Sequence, residues 1–83
     1  MSSPKVQATA IVSMLTTALG AAPSQDESDE RFRVEAEVPV SLGESARLDL
    51  LDFLFNTADR FGHSVRKDGT SVIWAEVDRQ GEL

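Results

Sequence analysis

The segment from residue 43 to residue 61 has an apolar face too wide for an ordinary surface helix, and this most constrains the fold. Ser41 to Glu44 match the S-x-x-E capping box ahead of an apolar run, which predicts a helix to about Phe61, closed by Gly62. Its polar residues cover an arc of roughly 100°, and its apolar residues cover about 220°. The apolar set is Ala46, Leu48, Leu50, Leu51, Phe53, Leu54, Phe55, Ala58 and Phe61.

An ordinary surface helix needs an apolar stripe of only a little more than about 100°. We therefore expect the 43–61 helix to be covered on two sides. A sheet can cover one side, and the N-terminal helix, a second copy of the chain or a ligand must cover the other.

Residues 1–20 predict an N-terminal helix. Ser3 suits the N-cap, Pro4 suits the first helical position, and Gly20 suits the left-handed C-terminal position. One helical face collects Ala10, Ile11, Met14, Leu15 and Ala18. The alternation of residues 5–10 also permits a strand, but it fails at residues 11–12, so the helix is the interpretation adopted.

The next segment, residues 21–30, is predicted to be an acidic flexible linker, because it follows Gly20 and combines Pro23 with serines and acids that have nothing to bury. Its acids lack the central glycine of a calcium-binding loop, so no metal site is expected there. Residues 31–40 then alternate apolar with charged side chains, which predicts a strand with one buried and one solvated face. Pro39 cannot donate to a sheet and marks the end of that strand.

A β-hairpin is predicted to complete the chain, with arms at residues 63–67 and 70–78 around Asp68 and Gly69. A two-residue loop would pair Val65 with Val72, whereas a three-residue loop with a bulge would shift every pair by one residue. Residues 79–83 are expected to be a frayed tail.

These elements predict an α+β fold with two layers in the order α-β-α-β-β. A three-stranded sheet ending in the C-terminal hairpin would carry both helices on one face. The chain is expected to form a single small domain, with residues 31–78 as its β-α-β-β core.

Composition narrows the classes of function. The net charge of −6 argues against nucleic-acid binding and against an anionic membrane surface, both of which attract basic residues. No apolar run approaches the ~20 residues of a membrane span. Cysteine is absent, which fits a reducing compartment, and we expect a cytoplasmic protein.

No constellation of catalytic residues is recognisable. His63 is the single histidine, so it lacks a companion for a histidine metal site. The five glycines form neither a dinucleotide fingerprint nor a P-loop. We therefore expect no catalytic residues, no metal and no cofactor, and we predict that the protein is not an enzyme.

The helix-then-hairpin order of residues 44–78 resembles the recognition helix and wing of winged-helix proteins. That resemblance implies nucleic-acid contacts by Arg66 and Lys67 at the hairpin tip. The aspartates on the exposed helix face do not suit a DNA reader. Nucleic-acid binding is therefore an alternative hypothesis.

The leading hypothesis is a small acidic protein-binding module, a regulator or inhibitor that contacts another protein or forms a homodimer. It rests on the acidic charge and on the over-wide apolar arc. The predicted anchors are Leu50, Phe53, Leu54 and Trp74, and the competing reading is that each is simply core. A third hypothesis is a small-molecule site in a pocket beside Trp74 and His63.

Overall fold

The computed structural model describes residues 3–79 as two helices and four strands. In chain order they are α1 (Pro4–Leu19), β1 (Ser24–Glu27), β2 (Arg31–Val38), α2 (Glu44–Thr57), β3 (Arg60–Val65) and β4 (Ser71–Asp78). All pairings are antiparallel, and the strands lie side by side in the order β1-β2-β4-β3. The α+β class is confirmed, but the prediction of a three-stranded sheet is wrong because a fourth strand is present.

Helix α1 begins and ends where its capping residues predict. The Val6 N–H donates to the Ser3 side-chain oxygen over 3.2 Å, Pro4 lies in the first turn, and Gly20 has φ of 76°. The helix interpretation of this segment is therefore confirmed. Its buried face is turned from the predicted one: Pro4, Ala8, Ile11 and Leu15 are buried, whereas Ala10 is exposed.

The segment predicted to be a linker, residues 21–30, contains strand β1. Residues 24–27 pair with β2, with Asp26 opposite Arg33. The Ser28 hydroxyl stabilises the turn between the strands by accepting hydrogen bonds from the N–H groups of residues 30 and 31. All four β1 side chains are exposed, so the strand leaves no apolar signal in the sequence.

Helix α2 is shorter at both ends than its pattern predicts. The Leu42 N–H donates to the Pro39 carbonyl over 3.0 Å, and this turn takes up Ser41. Gly43 is consequently the N-cap, without a side-chain capping bond, and the predicted capping box does not form. The helix ends at Thr57 rather than near residue 61, because Phe61 and Gly62 belong to β3.

Strands β3 and β4 form the predicted hairpin in the shifted register. Val65 lies opposite Ser71, and Gly62 lies opposite Trp74. Gly69 alone has positive φ in the turn, at 89°, so the three-residue loop of residues 67–69 replaces the two-residue turn. Strand β4 also pairs with β2 along its whole length. It is therefore a central strand of the sheet and not one arm of a projecting wing.

The core lies between the helices and one face of the sheet. Its fully or nearly fully buried residues are Ile11, Leu15, Val34, Ala36, Leu50, Leu54, Ile73, Ala75 and Val77. Helix α1 lies over β2 and β4, and α2 packs against α1 and β3. The Gln7 side-chain amide donates to the Thr57 carbonyl over 3.1 Å and joins the two helices.

The predicted frayed tail falls mostly outside the described residues, since only Arg79 is described. Its backbone N–H donates to the Glu30 carbonyl over 2.9 Å, which continues the β2–β4 ladder by one residue. Its guanidinium also contacts the Glu27 carboxylate at 3.0 Å. Arg79 is therefore tied to the sheet.

Candidate protein-docking surface

The four predicted partner-binding anchors occupy three different environments. Leu50 and Leu54 are fully buried in the core, so the surface role predicted for them is wrong in this fold. Phe53 is half-buried against the core on one flank of α2. Trp74 is half-buried on the sheet face opposite the helices. The anchors therefore do not form one patch.

The exposed apolar residues of α2 lie on the flank of the helix opposite Phe53. Leu48 and Phe55 share one stripe of the helix with Leu51, which lies three and four residues from them and is half-buried against the core. Phe55 is 71% exposed and Leu48 is 55% exposed. The periodic pattern contained these residues, but it could not show which part of the wide arc the sheet leaves open.

Strand β3 continues this apolar stripe onto the sheet. The Phe55 ring meets the Phe61 ring edge-on, with centroids 6.3 Å apart and an interplanar angle of 87°. Val65 is the fourth residue after Phe61, so it lies on the same face of β3, and it is 64% exposed. Together Leu48, Leu51, Phe55, Phe61 and Val65 form what we term the α2–β3 surface.

Acidic side chains stand beside the α2–β3 surface. Glu44 begins α2 on the same flank as Leu48 and Phe55, and Asp52 lies on the solvent side of that stripe. Asp59 follows the helix and accepts a hydrogen bond from the Asp78 N–H over 2.7 Å. Negative charge therefore lies at the rim of the α2–β3 surface and not within it.

The sheet face opposite the helices carries a network of ion pairs. Glu76 stands at its centre, 2.6 Å from Arg33 Nη1 and 3.0 Å from Arg60 Nε. Arg60 also pairs with Asp78. Hydrogen bonds from Arg60 hold the pKa values of both Glu76 and Asp78 below their ordinary range. This face is thus largely neutralised by its own side chains.

Trp74 lies within this network. The Arg33 guanidinium carbon is 4.7 Å from the Trp74 ring centroid, in a cation–π contact. Across the strand pair the ring lies against Gly62, where an added Cβ would come within 2.7 Å of it. The ring is therefore packed between the Arg33 guanidinium and the backbone of Gly62. The amino-acid sequence alone does not predict this role for Gly62.

The hairpin tip does not present two unpaired cations to a nucleic acid. Arg66 lies 3.2 Å from Glu35 and 3.3 Å from Glu37, so its charge is balanced by two carboxylates. Lys67 is exposed beside it. Of the two cations that the winged-helix resemblance assigns to nucleic-acid contacts, Arg66 is therefore neutralised by its own chain.

His63 borders an open groove of about 960 Å³ at the end where α2 begins. Glu44, Arg47 and Asp68 also line the groove. His63 lies opposite Ile73, on the helix side of the sheet, and Trp74 lies on the other side. The prediction of one pocket beside both residues is therefore wrong, because the sheet separates His63 from Trp74.

Within residues 3–79, no group of three or more histidine, aspartate or glutamate side chains is placed to hold a metal ion. Across the same residues, neither helix has the length and apolar character needed to cross a membrane.

Comparison with protein-family models, with curated proteins and with solved structures finds no match to this chain.

Proposed function

We propose that this chain is a small acidic protein-binding module without catalytic activity, and that it docks a protein on the α2–β3 surface. The observation that carries the proposal is Phe55, a large aromatic side chain that is 71% exposed beside the edge strand β3. Contiguous exposed apolar surface on a small protein marks a contact site more often than isolated exposed residues do.

The chemistry of the surface supports a protein rather than a small molecule as the partner. Leu48, Phe55 and Val65 lie along a helix and a strand rather than around a cavity, whereas ligand sites are concave. The aromatic pair Phe55 and Phe61 is the kind of side chain that dominates protein interfaces. Binding here would regulate or inhibit the partner by occupying part of its surface.

The other parts of the proposal rest on composition. The net charge of −6 and the ion-paired state of Arg66 favour a protein partner over a nucleic acid. The lack of cysteine favours the reducing cytoplasm as the site of action.

Photo-crosslinking in the cells that make the protein tests the proposal. In the test variant, photoreactive benzoylphenylalanine replaces Phe55. In the matched control it replaces Gln25, which is exposed on β1 at the opposite edge of the sheet. We expect a discrete protein adduct from position 55 and none from position 25. Equal labelling from both positions, or none from position 55, would contradict the proposal.

A further inference from the structure

We propose that the protein docked on the α2–β3 surface is a second copy of this chain, joined by antiparallel pairing of the two β3 strands about His63. The two four-stranded sheets would become one sheet of eight strands. This inference rests on the proposed function, because it names the occupant of the same surface.

Among the described strands, β3 has a neighbour on one edge only. The Arg66 N–H donates to the Thr70 carbonyl of the hairpin over 2.8 Å, so the backbone groups of residues 60, 62, 64 and 66 point toward β4. By the same alternation, the N–H and C=O groups of Phe61, His63 and Val65 point outward. Unpaired groups of this kind form a template for another strand.

The opposite edge of the sheet is a poorer template. Strand β1 has four residues, two of them acidic, and all four side chains are exposed. Strand β3 has six residues, contains no proline and has the apolar Phe61 and Val65 on its helix-facing side. Natural edge strands are protected by shortness and charge, and only β1 has both properties.

The sequence around His63 is complementary to itself when it is reversed. Pairing about His63 places Phe61 opposite Val65 of the second copy. The two-fold axis repeats this contact, so two apolar pairs form within the bounds of β3. A shift of two residues would instead set Phe61 or Val65 against His63 and would lose both apolar pairs.

The centred register also sets Arg60 opposite Arg66 of the second copy on the ion-paired face of the sheet. Each arginine already lies between two carboxylates of its own chain: Arg60 contacts Glu76 and Asp78, and Arg66 contacts Glu35 and Glu37. Their charges are therefore balanced before the copies meet, and this row does not oppose the pairing.

The helices extend the same complementarity into the second layer. Because α2 runs back along its own β3, two copies related by the axis would hold their α2 helices antiparallel on one face of the sheet. Leu48 of each copy then lies toward Phe55 of the other. The exposed apolar side chains of each copy cover those of its partner, and Asp52 remains on the solvent side.

Analytical ultracentrifugation of the full chain tests the inference through molar mass. We expect twice the 9.0 kDa of one chain at micromolar concentration. Phe55→Asp should weaken the dimer by about a hundredfold, whereas Val40→Asp should leave it unchanged, because Val40 is fully exposed outside the α2–β3 surface. Circular dichroism of both variants verifies that the monomer fold is kept.

A charge exchange tests the register itself. Val65→Lys should weaken self-association by about tenfold, because it sets a charge against Phe61 of the second copy. Mixing it with Phe61→Glu should restore association as a heterodimer, because one end then keeps its apolar pair and the other gains a pair of opposite charges. Val65→Glu serves as a second probe if Phe61→Glu loses its fold: it should weaken the dimer alone and associate with Val65→Lys no better than either variant does with itself.

Three results would overturn the inference. These are a monomer at all concentrations, a dimer indifferent to Phe55→Asp, or charge variants that associate as well as the parent. A purified monomer whose position 55 crosslinks to a different protein in cells would refute the second copy and keep the docking function. A monomer with no adduct at position 55 would refute both.

Discussion

Replacing Gly62 with alanine should disturb the packing of Trp74 on the sheet face opposite the helices. The added Cβ would lie 2.7 Å from Trp74 Cζ2 and 2.8 Å from Cε2, well inside van der Waals contact. The ring cannot simply lift, because Arg33 lies over it at 4.7 Å. Trp74 must therefore rotate or the β3–β4 pair must separate.

The expected cost follows from that overlap. Overpacking of this kind lowers the free energy of unfolding by about 1–3 kcal/mol. For a domain of this size, the free energy of unfolding falls by about 1–1.5 kcal/mol per molar of urea. The urea midpoint should therefore fall by about 1–2 M. Trp74 is the single tryptophan, so its emission maximum and its near-ultraviolet dichroism report directly on the site.

Gly43→Ala is the matched control for this experiment. Gly43 has φ of −66°, which alanine adopts freely, and a Cβ added there meets nothing within 4 Å. Alanine is a poorer N-cap than glycine but restricts the unfolded chain more, and these effects oppose each other. The urea midpoint should therefore change by less than about 0.5 M, with unchanged tryptophan emission. The same small shift for Gly62→Ala, with unchanged emission, would refute the packing of Trp74 against Gly62.

Two further predictions concern the ion-pair network and the core. Hydrogen bonds from Arg60 lower the pKa of Glu76, so the folded chain binds fewer protons than the unfolded chain as the pH falls through the carboxylate range, and stability is lost on acidification. Glu76→Gln should flatten that loss between about pH 5 and pH 2 in thermal unfolding profiles, and a profile parallel to the parent would exclude the network as its cause. Leu54→Ala should lower the free energy of unfolding by about 2–5 kcal/mol because Leu54 is fully buried, whereas Leu48→Ala should cost less than about 1 kcal/mol; equal costs in urea titrations would show that the burial is assigned wrongly.

The sequence predicts best those features that depend on local chemistry. Ser3, Pro4 and Gly20 define α1 because each satisfies a backbone requirement at a helix end, whatever the rest of the chain does. Strand β2 is equally predictable, since its alternation of charged and apolar residues matches the two faces of the sheet.

Features that depend on tertiary contacts are predicted poorly. Strand β1 forms because β2 offers it a partner, and its four exposed residues carry no pattern of their own. Gly62 follows an apolar run and resembles a helix C-cap, but it is needed where the Trp74 ring crosses β3. The hairpin register depends on the conformation of a single glycine, Gly69, so the sequence leaves two choices.

The sequence predicts that one sheet leaves part of the apolar arc of α2 uncovered, but it does not predict which residues are exposed. The apolar arc of α2 correctly indicates that one sheet cannot cover the whole helix. Periodicity gives the angle between side chains and not the direction of the core, so it favours Leu50 and Leu54 as anchors although Leu48 and Phe55 are the exposed residues. The pattern also places Phe61 in the helix, and it therefore does not predict that Phe61 contacts Phe55 from the neighbouring strand.

The central position of β4 has a consequence for how the chain folds as it leaves the ribosome. Strand β4 follows every other described element in the chain, yet it is the only described strand that joins β2 to β3. A nascent chain that stops before Ser71 holds a β1–β2 hairpin and an isolated β3, so α1 has only two paired strands to cover. Folding is therefore expected to wait until β4 has been made, when the β2–β4 ladder closes over more than thirty residues. Until then the apolar residues of both helices remain open to chaperones.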